Sequence, residues 1–264
     1  MLCFAFSDIH GMGNCFDRVM KYLDSQTAEY KCFFLGDACD RGPDGYRIMK
    51  ELLARPDITY IKGNHEDMFV KACHAYIDTA EEEGYTPSEY ARMNDWDMSM
   101  VLHDFDIDIC ISNGGLLTLN AWLRDGCPRK ILRDIENLPL KAQFVVEDFL
   151  GNCVRVIDMC HAGCIEAEWD NDIAEGMLWD RSHFSAPWNP NDDIPHILVH
   201  GHTPTRHLSR YVFIPDLPAS QRNQPIEYAD KTKWDIDVAV FSTNIACMVE
   251  LTEMKIIKFY PEDI

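Results

Sequence analysis

Short apolar runs separated by polar turns set the rhythm of the first sixty residues. Leu2 to Phe6, Cys32 to Leu35 and Ile58 to Ile61 each read as a buried strand. Between them, Cys15 to Leu23 places Phe16, Val19, Met20 and Leu23 at helical spacing, and Asp44 to Ala54 repeats this with Tyr46, Ile48, Met49, Leu52 and Leu53. The β-α-β-α-β alternation predicts parallel strands joined by right-handed crossovers. Glu66 to Tyr76 continues as helix. From about Asp78 to Asn137 the pattern becomes mainly helical: Glu81-Glu82-Glu83-Gly84 is an acidic break, Thr86-Pro87-Ser88-Glu89 a helix start, and Asn113-Gly114-Gly115 a tight turn before Leu116 to Leu123. This stretch reads as an insertion, not a second core. Its Asp-rich run, Asp95 to Asp108, lacks the glycine and terminal Glu of a calcium loop and reads as a solvated face. Further on, Gln143 to Glu147, Cys153 to Cys160, His196 to Val199, Arg210 to Ile214, Ile236 to Ser242 and, in two pieces, Ala246 to Tyr260 are β-prone.

Composition narrows the class. A chain of 264 residues that is 47% hydrophobic can fill one large core, so residues 1–264 are expected to form a single domain. With 44 acidic against 24 basic residues, the net charge of -20 opposes the basic footprint of a nucleic-acid or anionic-membrane binder. Phosphate substrates remain compatible, because bound cations can reverse the local polarity. Eleven cysteines, an odd number with no CxxC pair, suggest reduced thiols in the cytoplasm rather than disulfides or structural zinc. Met1 to Phe6 is too short for a signal segment, and nothing approaches the ~18 apolar residues of a membrane span.

Chemistry enters at the strand ends. The first three strands run into Asp8-Ile9-His10-Gly11, Gly36-Asp37-Ala38-Cys39-Asp40-Arg41-Gly42 and Gly63-Asn64-His65-Glu66. Two later ones end at His161-Ala162-Gly163 and His200-Gly201-His202-Thr203-Pro204. Loops at the carboxyl edge of an α/β sheet are where ligands bind. Oxygen donors (Asp8, Asp37, Asn64) mixed with imidazoles (His10, His161, His202) suit manganese, iron or zinc, and six ligands are too many for one tetrahedral ion. Two ions sharing a carboxylate can hold a bridging hydroxide for in-line attack at phosphorus. Arg41 offers a fork for phosphate oxygens. His65, one position past a ligand, is left free to protonate the leaving oxygen, with Asp40 placed to fix its tautomer. Strand alternation puts His200 and His202 on one side, so spacing does not separate them. His103, His183, His196 and His207 belong to no motif and read as surface or packing residues.

These motifs, in this order, resemble the signature of calcineurin-like metallophosphoesterases. The Asp-Arg-Gly and Asn-His-Glu forms look like the phosphoprotein-phosphatase branch, especially its bacterial and phage members. The resemblance implies an α/β (α+β) fold, a four-layer αββα sandwich with two central mixed sheets. It assigns Asp8, His10 and Asp37 to one metal and Asp37, Asn64, His161 and His202 to the second, and it favours His202 over His200. It also makes His65 the general acid, Asp40 its partner and Arg41 a phosphate ligand, while Leu178-Trp179-Asp180-Arg181 is similar to the place of a second phosphate-binding arginine, Arg181. The cofactor expectation is two divalent ions, manganese first, with iron or zinc as alternatives.

The sequence departs from the branch at three places. Ala38-Cys39 replaces an aliphatic pair and puts a thiol near the metals, a route to oxidation sensitivity. Pro204 stands where the wider family has a second histidine, whose role His10 can take. Ile236-Asp237-Val238-Ala239 stands where bacterial members show Asp-Thr-Gly-Ala, so the loop shape there is open. The leading expectation is a phosphomonoesterase acting on phosphoserine or phosphothreonine. A hydrolase of diadenosine polyphosphates or similar pyrophosphate bonds is the alternative, and a non-catalytic metal-binding scaffold the least favoured. Substrates would be phosphoproteins or small phosphate esters, with oligomeric state open.

Overall fold

The structure, a computed structural model, describes residues 1–101, 104–190, 193–212 and 223–261. In chain order its elements are β1 (Leu2–Phe6), α1 (Gly13–Asp24), β2 (Tyr30–Phe34), α2 (Gly45–Leu53), β3 (Ile58–Tyr60), α3 (Asn64–Glu82), α4 (Pro87–Met93), α5 (Phe105–Ser112), α6 (Leu116–Arg124), α7 (Arg129–Glu136), β4 (Lys141–Glu147) and β5 (Cys153–Cys160). There follow α8 (Glu166–Asp170), α9 (Ala174–Trp179), β6 (His196–His200), β7 (Ile226–Tyr228), β8 (Lys233–Asp235), α10 (Val240–Thr243), β9 (Ala246–Glu250) and β10 (Lys255–Phe259).

Two five-stranded mixed sheets result, ordered β10-β9-β1-β2-β3 and β4-β5-β6-β8-β7. The β1, β2 and β3 strands are parallel, as the alternation predicted, and β9 closes on β1 antiparallel. In the second sheet β5, β6 and β8 run parallel between antiparallel edges. The period of two in each strand decides the layers. Cys3, Ala5 and Phe33 point from the first sheet to meet Phe144, Ile157, Met159 and Val199 of the second. Phe4, Phe6, Cys32 and Phe34 point the other way, into a cluster shared with α1, α2 and α3. Trp169, Met177 and Trp188 cover part of the outer face of the second sheet. This is the expected sandwich.

Residues 78–137 make no separate core. Trp122, Leu119 and Leu132 are fully buried in the same cluster as the first sheet's outer face, each contributing about 1.5–3 kcal/mol by burial. Thr86 caps α4 with Glu89 reaching back to its amide, the predicted start. The acids read as a solvated face are partly caps: Asp97 accepts from Ser99 and Asp104 from Asp106. The third helix runs past Tyr76 to Glu82 before Gly84, at φ +82°, ends it.

Two strand expectations fail. Thr205–Arg210 is a 3-10 turn started by Pro204, and Tyr211 follows in a turn; residues 213 and 214 of that run lie outside the described residues, as does His103. Ile236 to Ser242 is no strand either, because the Asp237 carboxylate accepts the Ala239 amide at 2.8 Å and turns the chain into α10. The strands present nearby, β7 and β8, are three residues each, too short to display a period.

Candidate metal centre

The loops leaving β1 and β2 are stitched to one another by backbone hydrogen bonds. The Asp8 amide donates to the Gly36 carbonyl at 3.0 Å, His10 to Asp37 at 2.9 Å, Gly11 to Ala38 at 2.8 Å and Gly42 back to His10 at 3.0 Å. The contact is so close that a Cβ on Gly11 would fall 2.4 Å from the Gly42 oxygen. Asp8, His10, Asp37, Asp40, Arg41 and, across the cleft, His202 all adopt φ between 46° and 69°. Such left-handed conformations are sparsely populated by non-glycine residues and persist only where the surroundings over-determine them.

Glu66 supplies much of that determination. Fully buried, its carboxylate accepts the amides of Asp37 (2.8 Å), Ala38 (2.7 Å) and Gly63 (2.8 Å) and the Tyr60 hydroxyl (2.8 Å). It thereby ties the β2 loop to the start of α3. Sequence reasoning quoted Glu66 without giving it work; its position three residues after Gly63 at a helix start was the available signal.

The candidate ligands converge on Asp37. His10 Nε2 lies 3.6 Å from Asp37 Oδ2 and 4.0 Å from Asp8 Oδ1, while its Nδ1 is 3.1 Å from the Cys39 carbonyl. His161 repeats the device, with Nδ1 2.7 Å from the Leu35 carbonyl and Nε2 3.3 Å from Asp37 Oδ1 and 2.9 Å from Asn64 Oδ1. An Nδ1–H given to a carbonyl leaves the Nε2 lone pair toward the centre in both rings. The Asn64 oxygen lies 3.0 Å from His202 Nδ1, and the His202 amide donates to both Asp8 oxygens at 3.1 Å. Donor atoms of His10, Asp37 and His65 fall within 4.8 Å of one another, as do those of Asp37, His161 and His202.

His200 is not among them. Its strand ends at that residue and His202 turns away at φ 67°, so the alternation that placed both on one side does not apply. His200 lies buried, its Nε2 2.7 Å from the Tyr228 hydroxyl and its ring against His183 and Phe184.

Electrostatics favour cations here. Burial and neighbouring Asp237 push Asp8 well above the usual carboxylate range. Burial would raise Asp37 too, but His161, His65 and His10 around it hold it well below. His161, which burial alone would depress, is raised to about 10 by Asp37 and Asp8, whereas His10 and His202 are lowered, mainly by burial. Buried Asp40 Oδ1 and His202 Nε2 have no hydrogen-bond partner. Carboxylate, amide and imidazole donors, with Asp37 common to two groups, fit a pair of divalent first-row cations.

Beside this centre, His65 Nδ1 lies 2.7 Å from Asp40 Oδ2 and its Nε2 3.3 Å from an Arg41 Nη. Burial pulls the His65 pKa down, but Asp37 and Asp40 outweigh it and the net shift is upward. The Asp40 amide donates to Thr118 Oγ1 at 3.1 Å, and the Arg41 amide to the Gly114 carbonyl at 2.9 Å. A Cβ on Gly114 (φ +97°) would come within 3.0 Å of the Arg41 amide. The Asn113-Gly114-Gly115 turn, given no chemistry from sequence, thus seats Arg41. Arg41 is exposed on the His65 side. Arg181 is half-buried near His202, its Nε donating to Thr203 Oγ1 at 3.0 Å.

Two of the three departures resolve here. The Cys39 side chain is wholly buried, and burial raises its thiol well above the ordinary value, which makes it a poor target for oxidation. Asp237, unassigned from sequence, is buried near Asp8, and Ala239 makes the turn after it at φ 57°.

The comparisons with known proteins agree with this picture. A family described as calcineurin-like phosphoesterase matches residues 1–240. Among curated protein sequences no significant match is found. One similar solved structure, provisionally named a diadenosine tetraphosphatase, is 14% identical with a TM-score of 0.53, covering 98% of this chain and 92% of its own. A metallophosphoesterase from Sphaerobacter thermophilus is 13% identical (TM-score 0.50; 98% and 87% covered). A cold-active protein-tyrosine phosphatase of a psychrophilic Shewanella species is also 13% identical (TM-score 0.50; 100% and 78% covered). At these identities the structural likeness speaks to the fold alone.

Proposed function

Because the chain belongs to the calcineurin-like phosphoesterase family, we propose that it is a dinuclear-metal phosphomonoesterase whose preferred substrates are phosphoserine and phosphothreonine side chains of proteins. The observation that carries this reading is that Asp37 lies 3.6 Å from His10 Nε2 through Oδ2 and 3.3 Å from His161 Nε2 through Oδ1, with the His65–Asp40 pair and two arginines nearby. Asp8, His10 and Asp37 would hold one cation; Asp37, Asn64, His161 and His202 the other. When bound, the pair, manganese by preference, supplies Lewis acidity toward phosphoryl oxygens and an activated water.

The chain's own groups do the rest. In its protonated form His65 carries a proton at Nε2 for the leaving oxygen, and Asp40, accepting from Nδ1, orients the ring and stabilises that charged form. Arg41, beside His65, and Arg181, beside His202, grip phosphoryl oxygens through bonds that strengthen as charge builds. We read residues 1–264 as one catalytic domain, with 78–137 and the loop after Asp170 shaping substrate choice. Eleven unpaired cysteines suit a reducing compartment such as the cytoplasm.

The test is to assay manganese-loaded protein against a phosphoserine peptide and a dinucleoside polyphosphate, in wild type, Arg41→Ala and Arg181→Ala. Preference for the peptide, with either variant losing kcat/KM and phosphate inhibition but no metal, supports the proposal. Preference for the polyphosphate replaces its substrate half. Unchanged kinetics in both variants remove the arginine clamp.

A further inference from the structure

A lysine buried behind the site is left without work by this chemistry. Lys233 on β8 is 2% exposed, and no carboxylate lies within salt-bridge distance among the described residues. Among the described residues its ammonium donates to a single acceptor, the His183 carbonyl, at 2.6 Å. A buried charge with one partner costs stability, and an apolar side chain of the same length would be cheaper. The cost shows as a pKa lowered by burial to about 8.

What Lys233 grips is the turn that carries Arg181. The Asp180 carboxylate holds the amides of Ser182 (2.9 Å) and His183 (3.1 Å) from one side. The His183 ring packs against Gly163, where a Cβ would sit 2.4 Å from Cε1. Gly163 lies two residues past His161. The turn is therefore wedged by packing against the His161 loop, and Lys233 supplies the polar hold on its inner side. Arg181, two residues earlier, reaches Thr203 beside His202.

We propose that Lys233 is a positioning residue for the phosphate clamp: by holding the His183 carbonyl it fixes the turn that aims Arg181 at a phosphoryl group. The inference rests on Arg181 being that clamp.

The experiment is a double-mutant cycle on manganese-loaded protein. Inorganic phosphate is the probe, binding is read by titration calorimetry, and melting temperature and bound metal are measured alongside. Arg181→Ala should weaken phosphate roughly 10- to 100-fold, as loss of a charge-assisted bond would. Lys233→Met should weaken it roughly 5- to 10-fold with metal content kept and the melting temperature unchanged or raised. The two together should bind no worse than Arg181→Ala alone, because one acts through the other. A purely structural lysine would instead lower the melting temperature and leave phosphate affinity alone. Unaltered affinity in Lys233→Met, or a further full loss on the Arg181→Ala background, overturns the inference while the clamp stands. No effect of Arg181→Ala removes the clamp itself and the inference with it. Should Lys233→Met fail to fold, Lys233→Gln, which keeps a donor without the charge, should give an intermediate loss; wild-type affinity in that variant counts against the proposal.

Discussion

The two sheets contribute to the centre in different ways. The first sheet's edge is a continuous fabric: strand, loop and helix follow one another, and the loops are joined by backbone bonds and by the Glu66 carboxylate. The second sheet's edge is anchored largely on the first. His161 is oriented by the Leu35 carbonyl, and the His202 amide rests on Asp8. One edge is determined locally and the other by what it meets across the cleft, so damage to the first should spread to the second more than the reverse.

The largest effect should come from removing what both edges share. Chelation should abolish hydrolysis of p-nitrophenyl phosphate and manganese restore it, and Asp37→Ala should lose metal from both groups by elemental analysis. Full activity in stripped protein would sink the site. Next, His65→Asn should slow turnover of substrates with poor leaving groups by roughly 10²–10⁴ while both metals stay. Metal depletion in that variant would make His65 a ligand. Third, Glu66→Ala leaves three backbone amides unpaired in the interior and should cost about 3–5 kcal/mol in denaturant unfolding. A loss no larger than that of an exposed glutamate would show the first edge is not held through Glu66. The smallest effect sharpens the contrast: Ala239→Gly, relieving φ 57° on the second edge, should stabilise by up to about 1–2 kcal/mol without altering the first edge. A destabilised variant would mean that the turn is not strained.

That asymmetry also explains what could be read from the chain. The first edge was legible because its candidate ligands directly follow apolar runs, and β1, β2 and β3 differ from their expected bounds by at most two residues. On the second edge His161 and His202 were read from strand ends, with motif likeness needed to prefer His202 over His200, whereas β7 and β8 were missed and Ile236 to Ser242 was misread. Three-residue strands show no alternation, and a side chain such as Asp237 that turns its own backbone overrides β propensity. Glu66, Thr118, Gly114 and Lys233 were overlooked for a related reason. Each acts by holding another residue's backbone, and partners 28, 78, 73 and 50 positions apart in sequence are invisible until the chain is folded.

The crossing from His161 to Leu35 carries a consequence for how the protein would fare where metal is scarce. Cations held by Asp37 and His161, as proposed, would act as a reversible rivet between the two sheets, and any ligand of the folded state alone stabilises it by mass action, by about 2.7 kcal/mol at a hundredfold excess over Kd. Newly made chains would then mature at a rate set by metal supply, and the unriveted ones, with the second edge loosened, would be the fraction open to proteases. A melting temperature that climbs with manganese concentration, and protease cleavage that begins in the loops after β5 and β6 in stripped protein, are the signs to look for; cleavage that ignores metal would mean the sheets hold together without it.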